Sequence, residues 1–226
     1  MRIFRPIMAG AGWNERLLSG AGAAFGILLT GCVAALLGGG WPAPLLMAPI
    51  GASAVLVFAV PASPLAQPLP VIGGNSLSAA FALLVVTVAH QPMIAAPIAV
   101  GGAIVLMSLL RCLHPPGGAV ALSVVLLSAA GTPADWHFAV SPVASDSALL
   151  VVAGMLFHRV SRHSYPHRAI VAAPPPGFAA EDVDAALTEM HETFDIARED
   201  LDALLAAAAR HAAIRRGQSG RSSPRR

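Results

Sequence analysis

One stretch of this chain sets an imidazole beside two prolines and two glycines: Leu113-His114-Pro115-Pro116-Gly117-Gly118-Ala119. An earlier run, Pro49-Ile50-Gly51-Ala52-Ser53-Ala54-Val55-Leu56, matches Pro115–Leu122 with Pro, Gly and Leu identical and the small residues in register. Proline is tolerated in the first turn of a helix, and glycine lets a ligand approach the backbone closely. A helix starting at such a break offers N–H groups and the positive end of its macrodipole, which is chemistry that holds an anion. The candidate substrate-binding residues are His114, Pro115, Pro116, Gly117, Gly118 and Ala119 at one break, and Pro49, Gly51, Ala52, Ser53 and Ala54 at the other. Asn75 and Ser76 are candidate side-chain donors. His114 has two readings: it contacts an anion or carries a proton, or it braces the break by bonding nearby carbonyls. Arg111 reads either as an anchor at the cytoplasmic end of a span or as a source of positive potential in a pore.

The elements that must position these residues are apolar helices. Apolar residues make up 56% of the chain and charged residues 12%, against about 25% charge in an ordinary soluble domain. From Leu17 to Ala134 the sole charged residue is Arg111. A soluble surface so bare of charge would aggregate, whereas a bilayer requires it. The chain is therefore expected to be all-α, a polytopic transmembrane bundle over residues 17–160. Six apolar segments stand out, roughly 17–40, 44–60, 76–90, 93–110, 115–131 and 146–160. Several are shorter than the ~20 residues of a simple span, which leaves a four-span reading open. Breaks occur at Trp41–Pro44, Pro61–Gly74, His90–Pro92, His114–Gly118 and Gly131–Pro133. Short spans broken by Pro and Gly are typical of discontinuous transporter helices. Each matched glycine run lies in the middle segment of a group of three. Two three-span halves have opposite orientations, so a 3+3 inverted repeat is expected.

No acidic residue lies between Glu15 and Asp135. Cation carriers and proton pumps place carboxylates in the membrane, so their absence favours an anion. No HExxH, GxSxG or phosphate-cradling loop is present, and the His residues lack metal spacing, so neither an enzyme, a cofactor nor a metal site is expected. Cys32 and Cys112 sit in apolar segments as small filler.

Leu113–Ala119, together with Ala48–Phe58, Ser63–Pro68 and Gly73–Ser78, resembles in order the signature segments of the HPP family of integral membrane proteins. The resemblance covers most of residues 17–160. It implies a transporter, and plant and cyanobacterial relatives are associated with nitrite. Many bacterial members continue into paired CBS domains. This chain resembles them through the acidic helix after Phe178 and then stops, so nucleotide regulation is not carried over.

Residues 161–180 read as a Pro-rich linker, with Pro174-Pro175-Pro176 at its centre. Beyond it, Val183, Leu187, Met190, Phe194, Ala197, Leu201, Leu204 and Ala208 are spaced by alternating fours and threes. That spacing predicts one coiled-coil helix over 181–215 and a homodimer. Residues 216–226 read as a basic disordered tail, too short and too free of aromatics for nucleic acid. Basic residues flank both ends of the apolar region, which places residues 1–16 and the C-terminus in the cytoplasm of a bacterial inner membrane. The expected function is a transporter or channel for a small monovalent anion, nitrite first among them, with the lipid bilayer as its surroundings. The alternative is a non-transporting anchor or scaffold that presents the C-terminal helix.

Overall fold

The computed structural model describes residues 12–37, 47–132, 135–161, 163–169 and 179–221. The breaks at residues 41–44 and at Pro133 lie outside them. Every regular element among the described residues is helical. In chain order these are α1 (Trp13–Leu37), α2 (Ala48–Ala59), α3 (Asn75–Val88), α4 (Pro92–Leu109), α5 (Pro115–Ala129), the single turn α6 (Trp136–Phe138), α7 (Ser145–Ser161), α8 (Ala180–Met190) and α9 (Arg198–Arg221). A π turn at Pro70–Gly74 leads into α3, and a second π segment at Ala139–Ala144, kinked at Ser141, leads into α7. Residues 1–167 and 168–226 form two separate compact units.

Local chemistry sets the helix limits. Met47, Gln91 and His114 are extended N-caps, each followed by proline in the first helical turn. There the ring's fixed φ suits the helix, and the missing N–H has no partner to lose. At the end of α4, Cys112 N–H bonds Met107 C=O (2.9 Å) and Arg111 N–H bonds Ser108 C=O (3.2 Å). Arg111 is left-handed there, at φ 55°. The end of α5 repeats the pattern, with Thr132 N–H on Leu127 C=O (3.0 Å) and Gly131 at φ 77°. Both are Schellman closures.

The six expected segments are all present as helices. Among the described residues, four helical stretches are long and apolar enough to cross a membrane: α1, Pro70–Val88, α4 and Trp136–Ser161. α2 and α5 have 12 and 15 residues, or about 18 and 22 Å at 1.5 Å per residue, short of a hydrocarbon core of ~30 Å. Leu28, Leu36, Val88, Met93 and Leu109 are largely exposed, a surface suited to lipid rather than water.

Two apolar cores divide the membrane unit, and they do not follow chain order. One is built on α3, α4 and α5 through residues such as Ala82, Ala99, Met107, Val120 and Val124. The other joins α1 and α2 to α7 through Ile50, Val57, Phe58, Leu150 and Val151. Each half thus lends its third long helix to the other half's core. Exchanging α1 with α4, α2 with α5 and α3 with α7 maps α1 on α2 and α7 onto α4 on α5 and α3, and α2 against α5 onto itself, but α3 packs far more extensively on α5 than α7 does on α2. α1 packs through a small-residue face: Phe58 lies against Gly22 and Gly26, and Phe157 against Gly22.

One end of the unit collects several connections. Glu15 and Arg16 of α1 line a groove with Pro61 and His163. The segment after α7 is fastened to the loop after α2: the buried Tyr165 donates from its hydroxyl to Ala66 C=O (3.0 Å), and His167 N–H bonds Gln67 Oε1 (2.8 Å). Burial pushes the Tyr165 phenol above its usual range, which keeps it a donor. The first residues assigned to a linker are thus part of the membrane unit. Residues 170–178, including the triple proline, lie outside the described residues.

The single helix predicted over 181–215 is corrected. α8 ends at His191, which is left-handed at φ 51°, and α9 begins at Arg198. Val183, Leu187 and Met190 of α8 share an apolar groove with Phe194, Ile196, Leu201 and Leu205. The seam therefore folds back on itself, because a hairpin covers apolar positions within one chain. Arg198 joins the helices by pairing with Asp184 and Asp202 and by donating to Ala180 C=O (3.1 Å). Its carboxylate partners hold the guanidinium above its ordinary pKa. The tail expected from 216 is helical as far as Arg221.

Two outcomes follow. Single cysteines at positions 16, 67 and 111 should be labelled from one face of the membrane, and one at 135 from the opposite face. Leu201→Asp should speed amide exchange throughout 180–221 while leaving exchange in 48–129 unchanged. Equal protection of the mutant hairpin would show that this apolar groove does not hold it together.

Candidate functional site

The polar residues of the membrane unit meet where its two cores touch. Ser53 lies midway along α2, Asn75 opens α3, His114 caps α5 and Ser147 lies in the first turn of α7; all four are fully buried. His114 Nδ1 is 2.8 Å from the Leu65 carbonyl oxygen, which can only accept, so Nδ1 carries the proton. Nε2 of the neutral ring then accepts from the Ser53 hydroxyl at 2.8 Å. Ser53 Oγ in turn accepts from Asn75 Nδ2 (3.2 Å), which also donates to Ser147 Oγ (3.0 Å). The result is a continuous chain from Leu65 to Ser147 through four helices.

Glycine makes this approach feasible. A Cβ on Gly74 would lie 2.7 Å from Cys112 C=O and 2.7 Å from His114 Cβ. A Cβ on Gly117 would lie 2.7 Å from Ser78 Oγ, 2.9 Å from Met107 Sδ and 3.1 Å from Gly74 C=O. Gly117 thus seats α5 on the start of α3.

Of the residues selected from sequence, Ser53, Asn75 and His114 come together, and Pro49, Ala54, Pro116 and Gly117 are buried close to them in the chain. Gly118 is half-buried. Gly51, Ala52, Pro115 and Ala119 are exposed on the outer faces of α2 and α5, away from the polar chain. Ser76 returns its hydroxyl to Ile72 C=O at 2.7 Å. Arg111 is exposed in the α4–α5 turn, three residues before His114, and His90 is exposed between α3 and α4.

The expected cradle of free backbone N–H groups needs correction. Pro49, Pro115 and Pro116 have no N–H. Ile50 N–H is bonded to Met47 C=O (2.9 Å), and Gly117 N–H to His114 C=O (2.8 Å). The donors at these breaks are side chains. A second correction concerns acidic groups. Asp146, at the start of the expected segment 146–160, lies in the first turn of α7 and is 1% exposed, so the membrane unit does hold a buried carboxylate. Sequence reasoning missed it and Ser147. The available signal was the polar run Ser145-Asp146-Ser147 after Pro142, which parallels Asn75-Ser76 after Pro70.

These features define a polytopic helical membrane protein with an occluded polar centre. The model of the HPP transmembrane region matches residues 8–166, and the chain belongs to that family. It is similar to a transmembrane protein of Dictyostelium discoideum, 35% identical over 126 residues that cover 54% of this chain and 40% of that protein. A second transmembrane protein of the same organism is 37% identical over 130 residues, covering 54% of this chain and 44% of that protein. The chain thus spans less than half the length of these relatives. No solved structure matches it.

The two matched glycines should respond differently. Gly117→Ala must displace Ser78, Met107 or the Gly74 backbone, so it should lower the thermal stability of the detergent-solubilised protein. Gly51 has open space around its Cβ position. Gly51→Ala should be neutral or stabilising by up to about 1 kcal/mol through helix propensity. His114→Ala should cost about 1–3 kcal/mol for each group it orphans, chiefly Leu65 C=O and the Ser53 hydroxyl.

Proposed function

We propose that the membrane unit moves a small monovalent inorganic anion, with nitrite the first candidate, and that its halves work as an inverted repeat. The observation that carries this reading is the buried chain Ser147–Asn75–Ser53–His114, drawn from four helices at the seam of two cores. Hydroxyl, amide and imidazole groups can turn donors toward an anion without holding it as tightly as an Arg would. Polar groups inside a membrane bundle are costly to keep and mark solute paths. The exchange of helix pairings between halves supports a centre that opens alternately to each side as one core rocks against the other. Family membership supports a membrane function, and the nitrite association of some relatives supplies the candidate ion.

The deciding experiment is uptake by proteoliposomes of nitrite, nitrate, formate and chloride. Wild-type protein should move at least one of them faster than empty liposomes. Asn75→Ala and Ser53→Ala, checked for folding by size-exclusion profile, should reduce that flux. Wild-type protein that neither binds nor moves any of the four would end the reading and favour a membrane scaffold.

A further inference from the structure

Among the described residues, four buried side-chain atoms have no hydrogen-bond partner: Thr30 Oγ1 of α1, Asn75 Oδ1, and Asp146 Oδ1 and Oδ2. The Thr30 hydroxyl can donate, whereas the amide and carboxylate oxygens can only accept. The backbone of Met47, at the start of α2, approaches Asp146 but does not complete a hydrogen bond. Asp146 is next in the chain to Ser147, the last member of the polar chain.

The elements packed on α7 are α1, α2 and the two π segments. α2 and the π segments carry no titratable residue, and neither do residues 38–46 before α2. α1 carries Glu15 and Arg16, both exposed at the end of the unit where α7 finishes, and the exposed Cys32. On α7 itself, His158 and Arg159 stand twelve and thirteen residues further along, about 18–20 Å away at 1.5 Å per residue. Asp135 and His137, just before the second π segment, are exposed. His114 is separated from Asp146 by the neutral groups of Ser53, Asn75 and Ser147. Among the described residues, no counter-ion faces the Asp146 carboxylate. An ionised carboxylate so placed must find a donor, and the simplest one is a proton.

We infer that Asp146 is a proton-binding site of the transport cycle, taking one proton from water on one side of the membrane and returning it on the other as the anion crosses. This deepens the proposed function and rests on it. One proton moved with one monovalent anion makes the step electrically neutral, so the membrane potential no longer opposes anion entry. In the competing role, Asp146 stays ionised and only caps the positive end of α2.

The test uses the full chain in proteoliposomes loaded with a pH-sensitive dye, with nitrite, or whichever of the four anions the protein moves, as the probe. An inward gradient of that anion should acidify the lumen faster than in protein-free liposomes. Asp146→Asn should abolish this acidification while retaining exchange of labelled anion at equal concentrations, and Asp146→Glu should restore part of it. Anion movement without proton movement in the wild type would overturn the inference and leave the proposed function standing. Absence of both would remove the proposed function itself. Should Asp146→Asn fail to fold, infrared spectroscopy of the wild type decides: a protonated carboxylic acid band that disappears as pH rises supports the inference, and its absence throughout the titration overturns it.

Discussion

The Ser53 hydroxyl holds the membrane unit together, because it is the point where two apolar cores share a hydrogen-bond network. It donates to His114 and accepts from Asn75, and Asn75 reaches on to Ser147. In lipid there is no hydrophobic drive between helices, so packing and interhelical hydrogen bonds carry the association. The two cores consist largely of Ala and Val, residues that pack closely but confer little registry. The polar chain supplies that registry. It fixes the depth at which α5 starts against α2, and the glycines at 74 and 117 allow the backbones to approach closely enough for it to form.

Much of this was legible in the sequence. The apolar segments and their proline breaks follow from steric rules that act within a few residues, so helix existence and order were readable. Ser53, Asn75 and His114 could be singled out because a polar side chain in a bilayer needs a reason. Their mutual contacts could not be read, since Ser53 and His114 are 61 residues apart and the link depends on tertiary packing. Pairing Gly51 with Gly117 from their shared motif was misleading. One glycine lies under a neighbouring helix and the other faces outward, a distinction that local sequence does not encode. Asp146 was missed for a different reason: a charge near a loop reads as solvated until a π segment and kink are seen to draw it inward. The heptad spacing of 183–208 correctly marked apolar positions but not where they were satisfied, because a hairpin and a dimer can bury the same stripe.

His114 also links the centre to the edge of the unit. Its Nδ1–H holds Leu65 C=O, and the next residue's carbonyl, that of Ala66, is held by Tyr165. The loop between α2 and α3 is therefore fastened on one side to the polar centre and on the other to the segment that leaves α7. A displacement of that segment has a short covalent and hydrogen-bonded route to the imidazole.

The crossing of third helices between halves bears on how such a chain is made. Synthesis delivers α1 and α2 first, yet their core is completed only by α7, the last helix of the membrane unit to emerge. The core of α3, α4 and α5 consists of consecutive elements and can close earlier. Until α7 arrives, α1 and α2 must wait in the bilayer with the small-residue face of α1 only partly covered, and the Asn75 amide lacks its Ser147 partner. Long-range closure of this kind is slow because the chain must be brought together before any contact rewards it. The interlaced architecture thus makes the final helix a checkpoint in biogenesis: a nascent chain cut short before residue 145 would hold five inserted segments and one finished core.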